Sequence, residues 1–330
     1  MKLGLTPKQN TTNFYSHQHI DYMPMPMVGE HIIYPVSGFD ERPKWDKGGV
    51  DWFGCQWEYM ETAGAAAPDC NVPPVLADIC DWREDVHFPD LDAWDWEEAK
   101  KIDHIDEIDR ENNHVQLVLL TGLWERLHCL MGFENALCAL LEDPEECAAY
   151  FEAMADHKIR LIGKLHEHYK PDSILFHDDY GTQRAPFFSP ETWRELVKPQ
   201  LKRIVDYTHS LGIIFMLHSC GKYDDIIPDI CEIGVDTLQC MDINDIGAAL
   251  EKTGDKMSYL PSIHTQYFEA QSKAGVLTEE EVREIAHHEF ADWGATGRYA
   301  PFMFPPSTWY EEVVVDEFNK VREELAGTYA

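Results

Sequence analysis

Apolar and polar positions along this chain follow two rhythms. From residue 171 onward, short apolar runs of strand length trade places with longer stretches of helical period. "DSILFHDD" (172–179), "IIFMLHSC" (213–220), "VDTLQCMD" (235–242), "KMSYLPS" (256–262) and "GRYAPFMF" (297–304) predict strands. Between and after them, "SPETWRELVKPQLKRIVDYTHSLG" (189–212), "YDDIIPDICEIG" (223–234), "INDIGAALEKTG" (243–254), "TEEEVREIAHHEFADWG" (278–294) and "TWYEEVVVDEFNKVREEL" (308–325) predict helices. Capping signals sharpen several starts. Ser189 precedes Pro190, and Thr278 is followed three positions later by Glu281.

Upstream, "DWEEAKKIDHIDEIDREN" (95–112) reads as a charged surface helix. "EDPEECAAYFEAMADHKIRLIGKLHEHY" (142–169) reads as a long amphipathic one. In the latter, Asp143 serves as N-cap, Pro144 as first helical residue, and Phe151, Ala155, Ile159 and Ile162 as the buried stripe. Its histidines, His157, His166 and His168, are expected at the surface. Residues 1–95 lack either rhythm. "EHIIYPV" (30–36) is a short strand, and "DWFGCQWEY" (51–59) lines a pocket or caps the core.

Repeated strand–helix units require parallel strands joined by crossover helices. At 330 residues this predicts one domain over 1–330, an α/β (β/α)8 TIM barrel. Residues 1–95 form an irregular N-terminal extension with pocket loops, and 96–330 the barrel body. A doubly wound open sheet is the alternative, but no Gly-rich phosphate fingerprint follows an early strand.

Parallel barrels carry their chemistry at the C-terminal strand ends. Here those ends read His177-Asp178-Asp179-Tyr180, His218-Ser219-Cys220, Gln239-Cys240-Met241-Asp242 and Ser262-Ile263-His264. His218 and Cys220 share one face of a strand, so an imidazole nitrogen and a thiolate can clasp one metal ion, with Gly221 turning the backbone behind them. Two ligands do not complete a zinc site, which needs about four, or three and an open position.

Composition narrows the partners. A formal charge of -33 repels nucleic acid and anionic lipid, so neither is expected. No apolar run approaches membrane-spanning length, and "MKLGLTPKQNTTNFYSHQHIDYMP" has no signal-like core, so a soluble cytoplasmic protein is expected. Nine scattered cysteines fit free thiols in a reducing compartment. Nothing decides between a monomer and a homodimer.

The segment "LFHDDYGTQRAPFFSPETWRELVKPQLKRIVDYTHSLGIIFMLHSCGKYDDIIPDICEIGVDTLQ", with "GLWERLHCLMGFENALCALLEDPEE" upstream, resembles the uroporphyrinogen decarboxylase superfamily. It is most similar to the branch containing corrinoid-dependent methyltransferases. The resemblance covers roughly 115–325. It implies the barrel with an N-terminal extension, and zinc ligands at His218 and Cys220. Thiol-methylating members take another Cys near the last strand, whereas "GRYAPFMFPPSTWY" has none. Cys240 ranks first as replacement ligand, ahead of His264, His177 and Asp178. The early Arg-rich stretch of true decarboxylases is also absent; "FDERPKWDKGG" offers only Arg42, Lys44 and Lys47.

The resemblance thus implies a methyltransferase that moves a methyl group from a small methoxylated aromatic compound to a corrinoid carried by a partner protein. Asp178, Asp179, Tyr180 and His264 are its candidates for proton handling and orientation. Trp57, Tyr59, His177, Gln183 and Phe187 are candidates for contacting substrate. A methylcobamide:thiol methyltransferase, a decarboxylase and a non-catalytic ligand-binding barrel are the alternatives.

Overall fold

The computed structural model describes residues 4–37, 42–43, 47–61 and 64–329; Lys44 lies outside them. The chain begins with α1 (Pro7–Tyr15), started by a capping box between Thr6 and Gln9 with Pro7 just inside. Next come β1 (Glu30–Ile33), β2 (Gly49–Val50), β3 (Gln56–Met60), β4 (Ala65–Pro68), α2 (Trp82–Asp85), α3 (Trp96–Ile102) and β5 (His114–Leu119). Then follow α4 (Leu123–Met131), α5 (Phe133–Glu142), α6 (Pro144–His168), β6 (Ser173–His177), α7 (Pro190–Thr192), α8 (Lys198–Ser210), β7 (Ile214–Ser219) and α9 (Ile227–Glu232). The chain closes with β8 (Thr237–Cys240), α10 (Ile246–Thr253), β9 (Ser258–Pro261), α11 (Thr265–Lys273), α12 (Glu279–His288) and α13 (Trp309–Leu325).

Strands β1, β5, β6, β7, β8 and β9 form one parallel sheet in that order, curled as a barrel requires. Arg298–Phe302 continues it. Tyr259 N donates to Arg298 O at 2.7 Å, Ala300 N to Tyr259 O at 3.0 Å, and Phe302 N to Pro261 O at 2.8 Å. Among the described residues, hydrogen-bonded backbone thus supplies six strands and a seventh strand-like segment rather than eight strands. No backbone hydrogen bond among them crosses from that last segment to β1. A groove follows this seam, lined by Ile32, Tyr34, Phe302, Met303 and Phe304.

The floor of the barrel is plugged by α1. Its last carbonyls, which lack partners within the helix, are taken by strand side chains. Ser258 Oγ donates to Phe14 O at 2.7 Å, and Thr237 Oγ1 reaches Tyr15 O at 3.5 Å. β2, β3 and β4 make a separate antiparallel sheet. It is tied to α4 by Asp51, which accepts from Phe53 N, Cys55 N, Trp57 Nε1 and Arg126 Nη1, all within 2.9 Å. Phe53, Cys55 and Trp57 are buried there, so "DWFGCQWEY" caps the core, and Gly54, Cys55 and Gln56 also line a cavity of about 670 Å3, so both readings of the segment hold.

Two predicted helices contain wider turns. The helix from 189 is broken by a π-helical turn at Trp193–Val197, just before Pro199. Pro199 has no N–H to donate, and a wider turn accommodates that loss. A second π-helical turn, Glu289–Trp293, follows α12. Ser189 and Thr278 cap as expected, accepting from Thr192 N and Glu281 N, whereas the Asp143 side chain makes no capping bond. His157 corrects its expected surface position. It is buried against Trp52, Phe53 and Phe88, and burial pushes its pKa down to about 3. Among the described residues, no helix is long and apolar enough to cross a membrane.

Candidate metal centre at the barrel mouth

Strand register builds the site. The ladder pairs His177 with His218, and His218 with Gln239, so these side chains share one level on the inner face near the C-terminal mouth. The two imidazoles stack, with centroids 4.3 Å apart and planes 20° apart.

Each ring is held through Nδ1. His218 Nδ1 lies 2.6 Å from Gln239 Oε1, which accepts its proton and leaves Nε2 with a free lone pair. That Nε2 sits 3.4 Å from Cys220 Sγ and 3.8 Å from Asp179 Oδ1. His177 Nδ1 lies 2.8 Å from Glu125 Oε2, and Arg42 Nη2 bonds the other carboxylate oxygen at 2.6 Å. One donor atom from each of His177, Asp179 and His218 falls within 4.8 Å of the others. Cys220 stands beside this trio, its Sγ next to His218 Nε2 and its backbone N–H donating to Asp179 Oδ1 at 2.6 Å.

The electrostatics suit ligands awaiting a cation. Burial, helped by the neighbouring His177, pushes His218 down to about 4, so it is neutral at pH 7. Burial would also lower His177, but the Glu125 carboxylate outweighs it and raises the value. Burial, with Asp179 nearby, pushes the Cys220 thiol up to about 12, so a metal binding there displaces its proton. Two imidazoles and a carboxylate, each imidazole oriented through Nδ1 by a partner outside the trio and with a thiol beside them, are a donor set that fits zinc. Gly221 behind Cys220 has φ +88°, and any Cβ there would overlap the Gly181 carbonyl where the two strand exits cross.

The other sequence candidates are distributed more widely. Cys240 is not in this cluster. It pairs with Ser219, one register step from His218, and is therefore on the opposite face of the sheet, buried; Gln239 is the residue that reaches His218. Asp178 and Tyr180 are turned away as well. Asp178 is sealed, accepting from the N–H groups of Leu123, Trp124 and Glu125 and from Tyr180 Oη, so it caps α4. Burial pushes its carboxyl up to about 7, although the amides act the other way. Tyr180 spends its hydroxyl on that carboxylate and packs on Trp193 and Tyr223. Adjacent strand-end residues face opposite ways, which is why Asp179 reaches the centre and its two neighbours do not.

Trp57 is buried, with Arg42 over its ring at 5.5 Å. Tyr59 is exposed on β3, and Gln183 is exposed in the loop after β6. Phe187 packs on Phe133 and Trp124. His264, in left-handed conformation, lies between two carboxylates: Nε2 is 2.5 Å from Glu289 Oε1 and Nδ1 is 3.6 Å from Asp242 Oδ2. Glu289 raises its pKa. The π-helical turn carries Glu289 to that position.

A cavity of about 360 Å3 opens beside the cluster. His218 and Cys220 line one end and Asp242 another, with Phe268, Phe302, Phe304 and Tyr310 among its walls. Among the described residues, no Arg or Lys lines it. Glu125 and Glu289 come to the mouth from elements distant along the chain, as does Arg42, so no local pattern in the sequence marks their roles. Gln239 and Asp242 are visible there as strand-end polar residues.

A parallel α/β barrel with convergent polar groups at its C-terminal mouth defines a barrel of the enzyme type. The chain belongs to the uroporphyrinogen decarboxylase (URO-D) family, whose profile matches residues 95–291. The solved structure of a methyltransferase from Methanosarcina mazei is similar in fold, with a TM-score of 0.69 and 15% identity over 97% of this chain and 99% of that one. Old Yellow Enzyme from Pichia sp. AKU4542 aligns with a TM-score of 0.37 and 12% identity over 70% of this chain and 66% of that one, and carries no argument. No curated protein matches the sequence.

Proposed function

We propose that this protein is the methyltransferase component of a corrinoid-dependent demethylation system, acting on a small methoxylated aromatic compound. The observation that carries the proposal is the convergence of His177, Asp179 and His218, with Cys220 Sγ 3.4 Å from His218 Nε2, beside one aromatic-lined cavity. The methyltransferase named for the similar fold supports it.

Methyl ethers resist cleavage because the departing oxygen is a poor leaving group. Zinc, if held by three of these residues, would keep a position open and supply a Lewis acid at that oxygen. The chain's own residues do the remainder. Phe268, Phe302 and Tyr310 pack against the ring, with Phe304 at the cavity's exposed side. Asp242 and His264, backed by Glu289, hold a proton for the oxygen as the carbon–oxygen bond breaks. The methyl group would pass to a reduced corrinoid carried by a partner protein, which would supply both electrons of the new bond and be oxidised by two, while the oxygen keeps the pair of the broken carbon–oxygen bond and takes up the proton. A porphyrinogen substrate with many carboxylates would need cations, and the described cavity lining has none.

The test is incubation of zinc-loaded protein with a reduced corrinoid protein and a panel of methoxylated aromatics, followed by absorbance of the methylated corrinoid. Its formation only with protein and substrate together is expected. No methylation across the panel by protein shown to contain zinc overturns the proposal.

A further inference from the structure

Glu30, on β1 inside the barrel, is a buried acid that the proposed chemistry does not use. Its Oε1 accepts from Tyr15 Oη and from Gln116 Nε2, both at 2.9 Å. Among the described residues no Lys, Arg or His forms an ion pair with it. An unpaired buried carboxylate is costly and calls for a role.

Glu30, Gln116 and Gln239 together line a small cavity of about 20 Å3 under the mouth. That volume suits one water, and the polar lining gives it the two to four partners it needs. Gln239 is the residue that holds His218 Nδ1.

We infer that a single water in this cavity joins Glu30 to Gln239 and so fixes the tautomer of His218, making Glu30 a positioning residue for the centre above it. The carboxylate of Glu30 accepts only. The Gln116 amide nitrogen is directed at Glu30 and at Met216 Sδ, which leaves its carbonyl oxygen as an acceptor. Two acceptors take both hydrogens of the water, so the third partner must donate to it. Gln239 then turns its NH2 to the water and its Oε1 to His218. The imidazole must carry its proton on Nδ1, and Nε2 faces Cys220 and Asp179 as a ligand. This rests on the proposed metal role of His218, but the tautomer is a property of the metal-free protein.

The test uses 15N-labelled, metal-free full chain at about pH 8.5, above the value of about 7 to which burial pushes Glu30. Long-range 1H–15N spectra report which His218 nitrogen is protonated, with His218→Gln assigning the signal. Wild type should show Nδ1–H only, and Glu30→Gln, which can donate to the water, a mixture of tautomers. Zinc affinity of Glu30→Gln should fall about 10- to 100-fold. An unchanged tautomer in folded Glu30→Gln overturns the inference and leaves the metal proposal standing. A shifted tautomer in a protein that binds no zinc supports the inference and sinks the metal proposal. A dry cavity in a high-resolution crystal structure overturns the inference whatever the variant does.

Discussion

His177 and His218 stack ring on ring across neighbouring strands, 4.3 Å between centroids, with their Nδ1 atoms tied to different partners. Two imidazolium ions cannot share that geometry cheaply, so at least one ring stays neutral. A cation bound at ring nitrogens and Asp179 would take the place of those protons. His218→Ala and Asp179→Ala are each expected to reduce bound zinc to well below one per chain. Cys220→Ala should weaken binding by at least about tenfold. Cys240→Ala should leave the metal content unchanged, because that thiol lies on the other face of the sheet. Elemental analysis and competition with a chelating dye check all four.

Glu30 predicts a stability effect with a definite sign. Its pKa is about 7 in the folded protein against an ordinary 4.5. Below about 4.5 both states hold the proton and the group is neutral to stability. Between the two values the folded chain keeps a proton that the unfolded chain has lost, so stability falls as pH rises. Glu30→Gln escapes this loss. Relative to wild type it should gain up to about 3 kcal/mol by pH 8 and far less at pH 5, as read from urea unfolding at each pH.

Asp51 should be among the costliest polar residues to remove. It satisfies two backbone amides, the Trp57 indole and the Arg126 guanidinium, with both charged side chains fully buried. Asp51→Ala leaves two buried amides and the Trp57 indole without their acceptor and removes the Asp51 carboxylate from Arg126, and a loss of about 3–5 kcal/mol is expected from denaturant midpoints.

The His264 relay predicts a pH limb. Glu289 raises the histidine's pKa, so its acid form persists above the ordinary value of 6.5. Methyl transfer assisted by that proton should decline as pH rises past the raised value. His264→Asn should lose about 100-fold in rate and lose the limb with it. A variant that slows the reaction but keeps the same pH profile would assign the proton to another group.

Much of this architecture is legible in the sequence because its signals are local. The strands at β6, β7, β8 and β9 are apolar runs bounded by helix caps, and each falls inside its predicted stretch. The start of α1, Thr6-Pro7-Lys8-Gln9, carries a capping box that the reading of residues 1–95 as irregular passes over, because the helix after it has only a weak apolar stripe. β5 has a partner, β1, some 80 residues earlier, a pairing no local pattern announces. The site divides in the same way. His218 and Cys220 share a face by strand period alone. Choosing Gln239 over Cys240 needs the register between β7 and β8, which a single strand does not contain. Glu125 reaches His177 from α4, a helix whose capping by Asp178 is a tertiary fact.

The seam between β1 and Pro301–Phe304 bears on how the cavity treats guests of different size. Phe302, Met303 and Phe304 line both the seam and the cavity, and the backbone there is laddered on the β9 side alone. A bulkier guest would press on a stretch of described strand wall laddered on one side alone, and that stretch would give outward. Size tolerance is therefore directional: generous toward the seam, and strict toward His218 and Cys220, where the wall is a continuous sheet.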